Sequence, residues 1–405
     1  MKNIIAGLDM GTSKICAAIA GQAPDGERKL MGVGSAESRG INKGFVSNID
    51  KLVDSIQEAL AAAQDQAGTK VNRVVANISG SSVSGNVHEG ITLLSRRGRE
   101  ITKKDVKKVL DLARNTSLTM ERELLFNAAQ DFIVDDAHEV EDPIGLFGSK
   151  LKVRLYIVSA LTTHVQNISK AVNYAGYDLV DVMPNPVAAS YGVLSEQEKK
   201  EGVFLIDIGG GVTEFALLGN NRFYVLDSIN VGGMDLTACI SSFYKIPFTM
   251  AEMIKKRYGG ISKEEAAKAH EDILEFDGRQ IVVKSDEVNK LLRERFEEMY
   301  NIVNERLAFV KGQASFSQVV VTGGGSLLSG AIESLGDLFG ADIRLGRVNG
   351  LSGDPSLFSN PLYSSAVSLA KYGSERYARR PKPIEGRIFI LDIFSRLKEL
   401  MEEYF

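Results

Sequence analysis

Two stretches of the chain place an aspartate at the end of an apolar run and continue into glycine. The residues after each aspartate are small, hydroxylated or cationic: Gly11, Thr12, Ser13 and Lys14 after Asp9, and Gly209, Gly210, Gly211 and Thr213 after Asp207. Glycine lets backbone N–H groups approach a phosphate closely, and a carboxylate can hold a hydrated Mg²⁺. The pattern predicts two turns, the first turn (residues 9–14) and the second turn (residues 207–213), that together hold a metal-bound polyphosphate.

A third glycine turn follows the apolar run Val319–Val321. This third turn consists of Gly323, Gly324, Gly325 and Ser326. We expect it at a strand-to-helix junction, where a helix N-terminus lets a nucleotide's α-phosphate or base lie against the backbone.

Composition excludes several other classes of protein. The chain has 405 residues, 44% of them hydrophobic, which is typical of a globular protein with two or more domains. Its net charge of -4 argues against nucleic-acid binding. No apolar run is long enough to span a bilayer, so the sequence predicts a protein that is neither secreted nor transmembrane. The cysteines Cys16 and Cys239 show no disulfide or zinc pattern, and the four histidines are expected on the solvated surface.

The elements around the first two turns repeat. Each turn joins the first two strands of a predicted βββ unit, with Lys14–Gly21 and Lys29–Ser35 in the first copy and Thr213–Leu218 and Arg222–Asn230 in the second. Asn48 is a predicted helix cap and Gly68 the end of that helix. Between the copies, Ser/Gly-rich sequence from about Gly80 opens a compact insert, with a helix from Thr102 and strands over 124–134 and 150–159.

The end of the chain differs in character. Residues 376–385 include Pro381 and Pro383, which favour an extended tether. Beyond it, apolar residues recur at three- and four-residue steps: Phe389, Ile390, Ile393, Phe394, Leu397, Leu400 and Met401. This pattern predicts an amphipathic helix over 386–405 that binds an anionic membrane surface reversibly; packing on its own domain or on a neighbouring subunit is the alternative.

The three turns, in this order, resemble the phosphate-1, phosphate-2 and adenosine motifs of the actin, Hsp70 and sugar-kinase superfamily. Within it, the chain resembles the FtsA family of bacterial cell-division proteins, through Gly232–Thr237, Ala251–Lys255 with Tyr258-Gly259, Arg295–Glu298 and Pro361–Val367. The resemblance implies an α/β, actin-like (ribonuclease H-like, duplicated) bilobed ATPase fold with an inserted α+β subdomain and a C-terminal amphipathic helix. It implies ATP and Mg²⁺ as cofactors, with Asp9 and Asp207 at the metal, Gly233 beside the nucleotide, and Glu252 and Lys255 at the ribose and adenine.

The resemblance also implies a domain order. Lobe 1 comprises 1–80, 161–200 and 351–375; the insert is 81–160; lobe 2 has its core at 201–230 and 301–350 and an outer subdomain at 231–300. Proteins of this family tether FtsZ filaments to the cytoplasmic membrane at the division site and polymerise. The insert would serve self-association and later division proteins, and Arg295 and Glu298 would bind the FtsZ tail.

Two departures from the family pattern limit the expected chemistry. Val212 stands where a threonine often follows the third glycine, and Pro184-Asn185-Pro186 offers no evident general base for hydrolysis. We therefore expect ATP binding with at most weak hydrolysis and identify no catalytic residue. A small-molecule kinase of the same superfamily and a pilus-assembly actin-like ATPase remain alternatives; the short remaining tail argues against an Hsp70-like chaperone.

Overall fold

The computed structural model describes residues 2–117, 119–262, 271–310 and 314–377. The tether beyond Tyr377 and the predicted terminal helix, including all seven candidate membrane residues, lie outside these ranges. Within them, no helix is both long enough and apolar enough to cross a bilayer.

The first part of the chain folds as the sequence predicts. The Asn48 side chain accepts a hydrogen bond from the Lys51 N–H at 3.0 Å, and Gly68 ends the helix with a φ of 62°. The elements are β1 (Lys2–Met10), β2 (Lys14–Gln22), β3 (Arg28–Glu37), β4 (Ile41–Asn42), β5 (Phe45–Val46), α1 (Ile49–Ala67) and β6 (Arg73–Ile78).

The insert is a four-stranded sheet, ordered β10-β9-β12-β7, covered by one helix and enclosing its own apolar core. Asp105 starts that helix by accepting hydrogen bonds from the backbone and hydroxyl of Thr102. The Ser/Gly-rich sequence after Gly80 forms a strand that its composition did not predict. The elements are β7 (Ser84–Leu93), β8 (Arg99–Glu100), α2 (Lys103–Ser117), β9 (Arg122–Val134), β10 (His138–Val140), β11 (Phe147–Gly148) and β12 (Lys150–Leu161).

The chain then returns to the first sheet through α3 (Thr162–Tyr174), β13 (Asp178–Pro184) and α4 (Asn185–Val193). One expectation is wrong here: His164 is not on the solvated surface. It is 3% exposed, stacks on Phe45 at 4.9 Å between ring centroids and shares a 2.6 Å hydrogen bond with the Ser82 hydroxyl. Burial lowers the pKa of His164 to about 4, so this histidine is neutral at physiological pH.

The second half repeats the first sheet. Strand order is β3-β2-β1-β6-β13 in lobe 1 and β16-β15-β14-β19-β20 in lobe 2, in each case an antiparallel βββ unit followed by two parallel strands. The long helix of this half covers Ser285–Ala308, and residues 311–313 beyond it lie outside the described ranges. The elements are α5 (Glu196–Glu201), β14 (Val203–Ile208), β15 (Thr213–Gly219), β16 (Arg222–Ile229), α6 (Gly233–Tyr244), α7 (Phe248–Tyr258), β17 (Glu271–Phe276), β18 (Arg279–Lys284), α8 (Ser285–Ala308), β19 (Gln318–Thr322), α9 (Ala331–Phe339) and β20 (Asp342–Leu345).

The last described elements, α10 (Pro355–Phe358) and α11 (Ser364–Arg376), bring the chain back to lobe 1. Helix α11 packs directly on β1, the strand that carries Asp9. The close approach depends on Gly7, because a Cβ there would lie 2.1 Å from the Ala366 carbonyl oxygen and 2.4 Å from the Ala370 nitrogen. The contact sets the position of β1, and with it that of the first turn.

We predict that Gly7→Ala lowers the free energy of unfolding by about 1–3 kcal/mol, since α11 must move away from β1 to admit the methyl group. Urea denaturation provides the measurement. Gly336→Ala in α9 is the matched control, because its Cβ would meet only Ile343 at 3.7 Å; we expect it to be neutral or to stabilise by up to about 1 kcal/mol. Equal effects of the two substitutions would contradict this account of the packing.

Candidate nucleotide site

The first and second turns have the same backbone geometry. The Gly11 N–H donates to the Lys14 carbonyl at 3.1 Å, and the Gly209 N–H donates to the Val212 carbonyl at 2.9 Å. Each turn joins two antiparallel strands whose register places Cys16 opposite Asp9 and Glu214 opposite Asp207. The duplication therefore reaches the level of individual hydrogen bonds.

The two turns meet where the lobes adjoin, a place called here the seam. A Cβ on Gly211 would lie 2.7 Å from Cγ2 and 2.8 Å from Oγ1 of Thr12, and a Cβ on Gly210 would lie 2.7 Å from the Ser13 hydroxyl oxygen. These distances are shorter than those at which a real Cβ atom contacts another atom. Any residue other than glycine at these two positions would therefore push the turns apart. The structure thus brings Thr12 and Ser13 together with Gly210 and Gly211, as the sequence predicted for facing turns.

Asp207 lies close enough to Asp9 for its charge to affect the ionisation of Asp9. Desolvation and the Asp207 charge raise the pKa of Asp9 to about 6, against the opposing effects of Lys14 and of a 2.6 Å hydrogen bond from the Asn77 amide. Burial also raises the pKa of Asp207, which accepts hydrogen bonds from Asn185 at 2.9 Å and Ser365 at 3.3 Å. Without a compensating cation, two ionised carboxylates here are unfavourable.

Glu214 is a third carboxyl group at the seam and was not among the residues predicted there from the sequence. It is 4% exposed, and its two oxygens accept hydrogen bonds from the Gly80 N–H at 3.2 Å and from the Asn185 amide at 2.8 Å. Burial and the nearby Asp207 charge raise the pKa of Glu214 to about 8, so it is mostly protonated at neutral pH. Asn185 thus donates to both Asp207 and Glu214 and fixes their relative positions.

This donor set fits a magnesium ion held mainly by water and phosphate. Among the described residues, no group of three or more His, Cys, Asp or Glu side chains could enclose a metal. Mg²⁺ typically takes one or two carboxylates and leaves its other positions to water and substrate phosphates. Asp9 and Asp207 supply two such carboxylates, and a cation between them would relieve the repulsion that raises the pKa of Asp9.

The third turn lies against the second. Gly323, with a φ of 83°, packs so close to Asp207 that a Cβ would lie 2.2 Å from a carboxylate oxygen. The structure has a short 3₁₀ helix, Gly324–Leu327, where an α-helix was expected; α9 begins only at Ala331. Ser326 is buried, and its hydroxyl donates to the Gly323 carbonyl at 2.7 Å, so it shapes the turn.

Glu252 and Lys255 form one polar cluster on α7 beside the start of α6. The Lys255 ammonium lies 2.7 Å from Glu252 and donates to the Gly233 carbonyl at 2.9 Å and the Thr237 hydroxyl at 2.7 Å. Gly233 in turn donates its N–H to the Gly209 carbonyl at 2.9 Å. The residues predicted at the ribose and adenine are therefore linked to the second turn through one backbone contact.

Two predicted hydroxyl or cationic ligands point elsewhere in the described conformation. Thr213 is fully buried, and its hydroxyl donates to the Val231 carbonyl at 2.8 Å. The Lys14 ammonium donates to the Leu362 carbonyl at 2.7 Å, although its charge still lowers the pKa of Asp9. Lys14 would have to leave Leu362 to contact a phosphate directly.

The two predicted partner residues, Arg295 and Glu298, lie on α8. Arg295 pairs with Glu298 on the same helix and lies 3.9 Å from Asp235. Asp235 also lies 3.6 Å from Lys43 of lobe 1, whose ammonium donates to the Asn230 carbonyl at 2.9 Å. Lys43 thus links the lobes across the seam, a contact with no signal in the sequence.

Asn77 and Asn185 did have a signal that was not used. Each polar residue follows a run of apolar residues, Val74–Ala76 before Asn77 and Val182–Pro184 before Asn185. The strands β6 and β13 run parallel to β1, so their carboxyl ends share an edge with Asp9. Ser365 and Glu214 could not be found this way, because their positions depend on tertiary packing.

The repeated sheets and the facing turns define a protein of the actin-like fold class. The fold resembles that of the type IV pilus PilM–PilN complex, with a TM-score of 0.65, 19% identity and coverage of 91% of this chain and 98% of that one. It also resembles MreB5 of Spiroplasma citri bound to ADP, with a TM-score of 0.55, 14% identity and coverage of 93% and 97%. At these identities the likeness shows the fold alone.

Sequence relatives identify the family. The family model for cell division protein FtsA matches residues 204–368, and the model for the SHS2 domain inserted in FtsA matches residues 80–159. The chain is 31% identical to cell division protein FtsA of Pseudomonas aeruginosa over 92% of its length and 90% of the relative's. It is also 31% identical to the Borreliella burgdorferi FtsA, over 93% and 92%. The chain belongs to the FtsA family of cell-division proteins.

We predict that Glu214→Gln flattens the pH dependence of stability between pH 6 and 8 in metal-free protein. The folded-state pKa of Glu214, about 8, exceeds its ordinary 4.5, so the folded state binds the proton more tightly. Raising the pH through this window therefore lowers the wild-type free energy of unfolding, on the order of 1 kcal/mol per pH unit, and the loss ends above pH 8. The contribution of Asp9 falls mainly below about pH 6.

Urea denaturation in EDTA at pH 6, 7, 8 and 9 checks this slope. Glu275→Gln, on the exposed face of β17, removes a carboxylate without changing a buried group and should leave the slope as in the wild type. Parallel curves for wild type and Glu214→Gln would show that Glu214 is ionised throughout.

Proposed function

We propose that this chain binds Mg·ATP at the seam and works as a membrane-associated adaptor that tethers FtsZ filaments to the cytoplasmic membrane. The observation that supports it most directly is the pair of buried carboxyl groups, Asp9 and Asp207, on facing glycine turns, where desolvation raises the pKa of both and the charge of Asp207 adds to the effect on Asp9. In this proposal the protein polymerises on the cytoplasmic face of the membrane at the division site and recruits later division proteins there.

The residues of the seam divide the work of binding. Backbone N–H groups of the first and second turns contact the phosphates, and Asp9 and Asp207 hold the metal's water shell. When bound, Mg²⁺ neutralises phosphate charge and orients the polyphosphate. Asn77 and Asn185 keep the two carboxylates in place, since each donates an amide hydrogen to one of them. Gly233, Glu252 and Lys255 border the nucleoside.

The same residues favour binding over rapid hydrolysis. Asn185, the first residue of α4, is a neutral amide and cannot take a proton from an attacking water. Glu214 is mostly protonated at neutral pH and is already engaged with Gly80 and Asn185. ATP would therefore act mainly as a bound ligand that holds the lobes together.

We predict that Asp207→Asn weakens Mg·ATP binding by about tenfold or more, because one of two carboxylates at the metal is lost. In EDTA the same variant should bind ATP at least as well as the wild type, since the aspartate then only repels phosphate. Isothermal titration calorimetry in both conditions measures the difference. Asp337→Asn, at an exposed position on α9, is the control. Absence of heat for the wild type at saturating Mg·ATP would refute the proposed site.

Arg295 and Glu298 are the proposed contact for the FtsZ tail. The Arg295 side chain is 30% exposed, and its guanidinium can bind a carboxylate through two parallel hydrogen bonds once it releases Glu298. Its neighbour Asp235 also contacts Lys43, so an FtsZ tail bound here would lie beside a contact between the lobes.

The membrane role rests on the sequence pattern of residues 386–405, which lie outside the described structure. One amphipathic segment of this kind binds a bilayer weakly, whereas many copies in a polymer bind as a multivalent array. Self-association and membrane binding would therefore strengthen each other.

We predict that deleting residues 386–405 releases the protein from liposomes containing anionic lipid and leaves Mg·ATP affinity unchanged. Co-sedimentation measures membrane binding, and FtsZ filaments added to the same assay should reach the pellet only with the full chain. Charge reversal at Arg295, Arg295→Glu, should remove FtsZ from the pellet while the full chain itself still sediments. Unchanged sedimentation of the truncated protein would contradict the membrane proposal.

A further inference from the structure

The insert contacts both lobes by different means. It is covalently joined to lobe 1 at both ends, and Arg122 ties these two crossings together by donating to the Ser82 and Ser159 carbonyls, each at 2.9 Å. On its other side the sheet of the insert packs against β16, the edge strand of lobe 2. The insert therefore contacts both lobes.

The contact with β16 has an aromatic part and a charged part. Phe223 lies 5.5 Å from Phe126 and 5.9 Å from Tyr156 of the insert, measured between ring centroids, and is 7% exposed. Beside it, Arg222 pairs with Asp131, whose other oxygen accepts a hydrogen bond from Arg154 of the insert at 2.7 Å. Asp131 is 3% exposed, so removing Arg222 would leave this buried carboxylate with one of its two arginine partners, Arg154.

Strand β16 joins this contact to the second turn. Its register with β15 places Arg222 opposite Gly219, at the end far from the seam, and Ile229 opposite Thr213, at the turn itself. The segment that follows the strand supports the turn, because Gly233 and Met234 donate backbone hydrogen bonds to the Gly209 and Gly210 carbonyls at 2.9 and 2.7 Å. Eight residues of strand cover about 24 Å between the two contacts.

We propose that β16 couples the seam to the insert: the contact of Arg222 and Phe223 with Asp131, Phe126 and Tyr156 is a clasp that holds the lobes closed. Because the first and second turns already touch, separating the lobes opens space for a nucleotide to enter or leave. Separation carries the second turn and β16 away from lobe 1, and the insert must then release Phe223 or reorient on its two crossings. The orientation of the insert therefore depends on whether the seam is open or closed. The link between an open or closed seam and bound nucleotide rests on the proposed function.

The first test measures the clasp without nucleotide in the full chain. Spin labels on Lys108→Cys in α2 and Glu333→Cys in α9, both exposed positions, in a Cys239→Ser background, report the distance between insert and lobe 2. We expect a narrow distance distribution for the intact clasp and a broadened or shifted one for Arg222→Gln and for Phe223→Ala. Arg279→Gln, which removes an exposed charge elsewhere on lobe 2, should leave the distribution unchanged. An unchanged distribution in both clasp variants overturns the proposal.

The second test measures coupling to the seam. Arg222→Gln should raise the dissociation rate constant of a fluorescent ATP analogue with Mg²⁺ by about tenfold, and Arg279→Gln should not change it. Saturating nucleotide should narrow the distance distribution of Arg222→Gln again. Equal dissociation rates in wild type and Arg222→Gln overturn the coupling. Failure of the wild type to bind nucleotide contradicts the proposed function instead, and the distance measurement then still decides whether the clasp holds the insert.

Discussion

Three carboxyl groups share one desolvated seam, and much of the surrounding structure serves to keep them there. Desolvation raises the pKa values of Asp9, Asp207 and Glu214, and the charge of Asp207 adds to the effect on the other two. Such a cluster is unstable as three free anions. Protons, hydrogen-bond donors and cations can compensate these charges, and the structure shows the amide donors Asn77 and Asn185 and the nearby ammonium of Lys14.

The amide donors explain why elements distant in sequence converge at this place. Asn77 is the last residue but one of β6, and Asn185 follows β13; each donates an amide hydrogen to one of the aspartates. The hydroxyl of Ser365, the second residue of α11, also donates to Asp207. Asn185 in addition donates to Glu214 and so bridges it to Asp207. Because an amide carries no charge, these contacts fix the carboxylates without neutralising them, and so leave a demand for positive charge that a metal–nucleotide complex can meet.

Local sequence signals predicted the parts of the fold that depend on local chemistry. The Asn48 cap, the Gly68 stop and the two aspartate turns follow from side-chain and backbone preferences within a few residues, and all appear in the structure. Strand β7 and the burial of His164 were missed because each depends on neighbours far along the chain. Tyr156 of β12 occupies the space beside Gly85, and Phe45 covers the His164 ring. The contacts of Lys43 could not be predicted for the same reason, since its partners Asn230 and Asp235 lie in the other lobe.

The two turns at the seam have the same backbone geometry because the fold is duplicated, but their side chains differ. The two turns share their strand order and their closing hydrogen bond, yet Cys16 lies opposite Asp9 where Glu214 lies opposite Asp207. Burial raises the pKa of the Cys16 thiol to about 12, so this thiol stays neutral. The second side pairs two buried carboxyl groups, Asp207 and Glu214, both with raised pKa values, and its turn is supported by the segment after β16. Buried carboxyl groups and backbone support therefore concentrate on the second turn, the one through which lobe 2 would respond to a bound nucleotide.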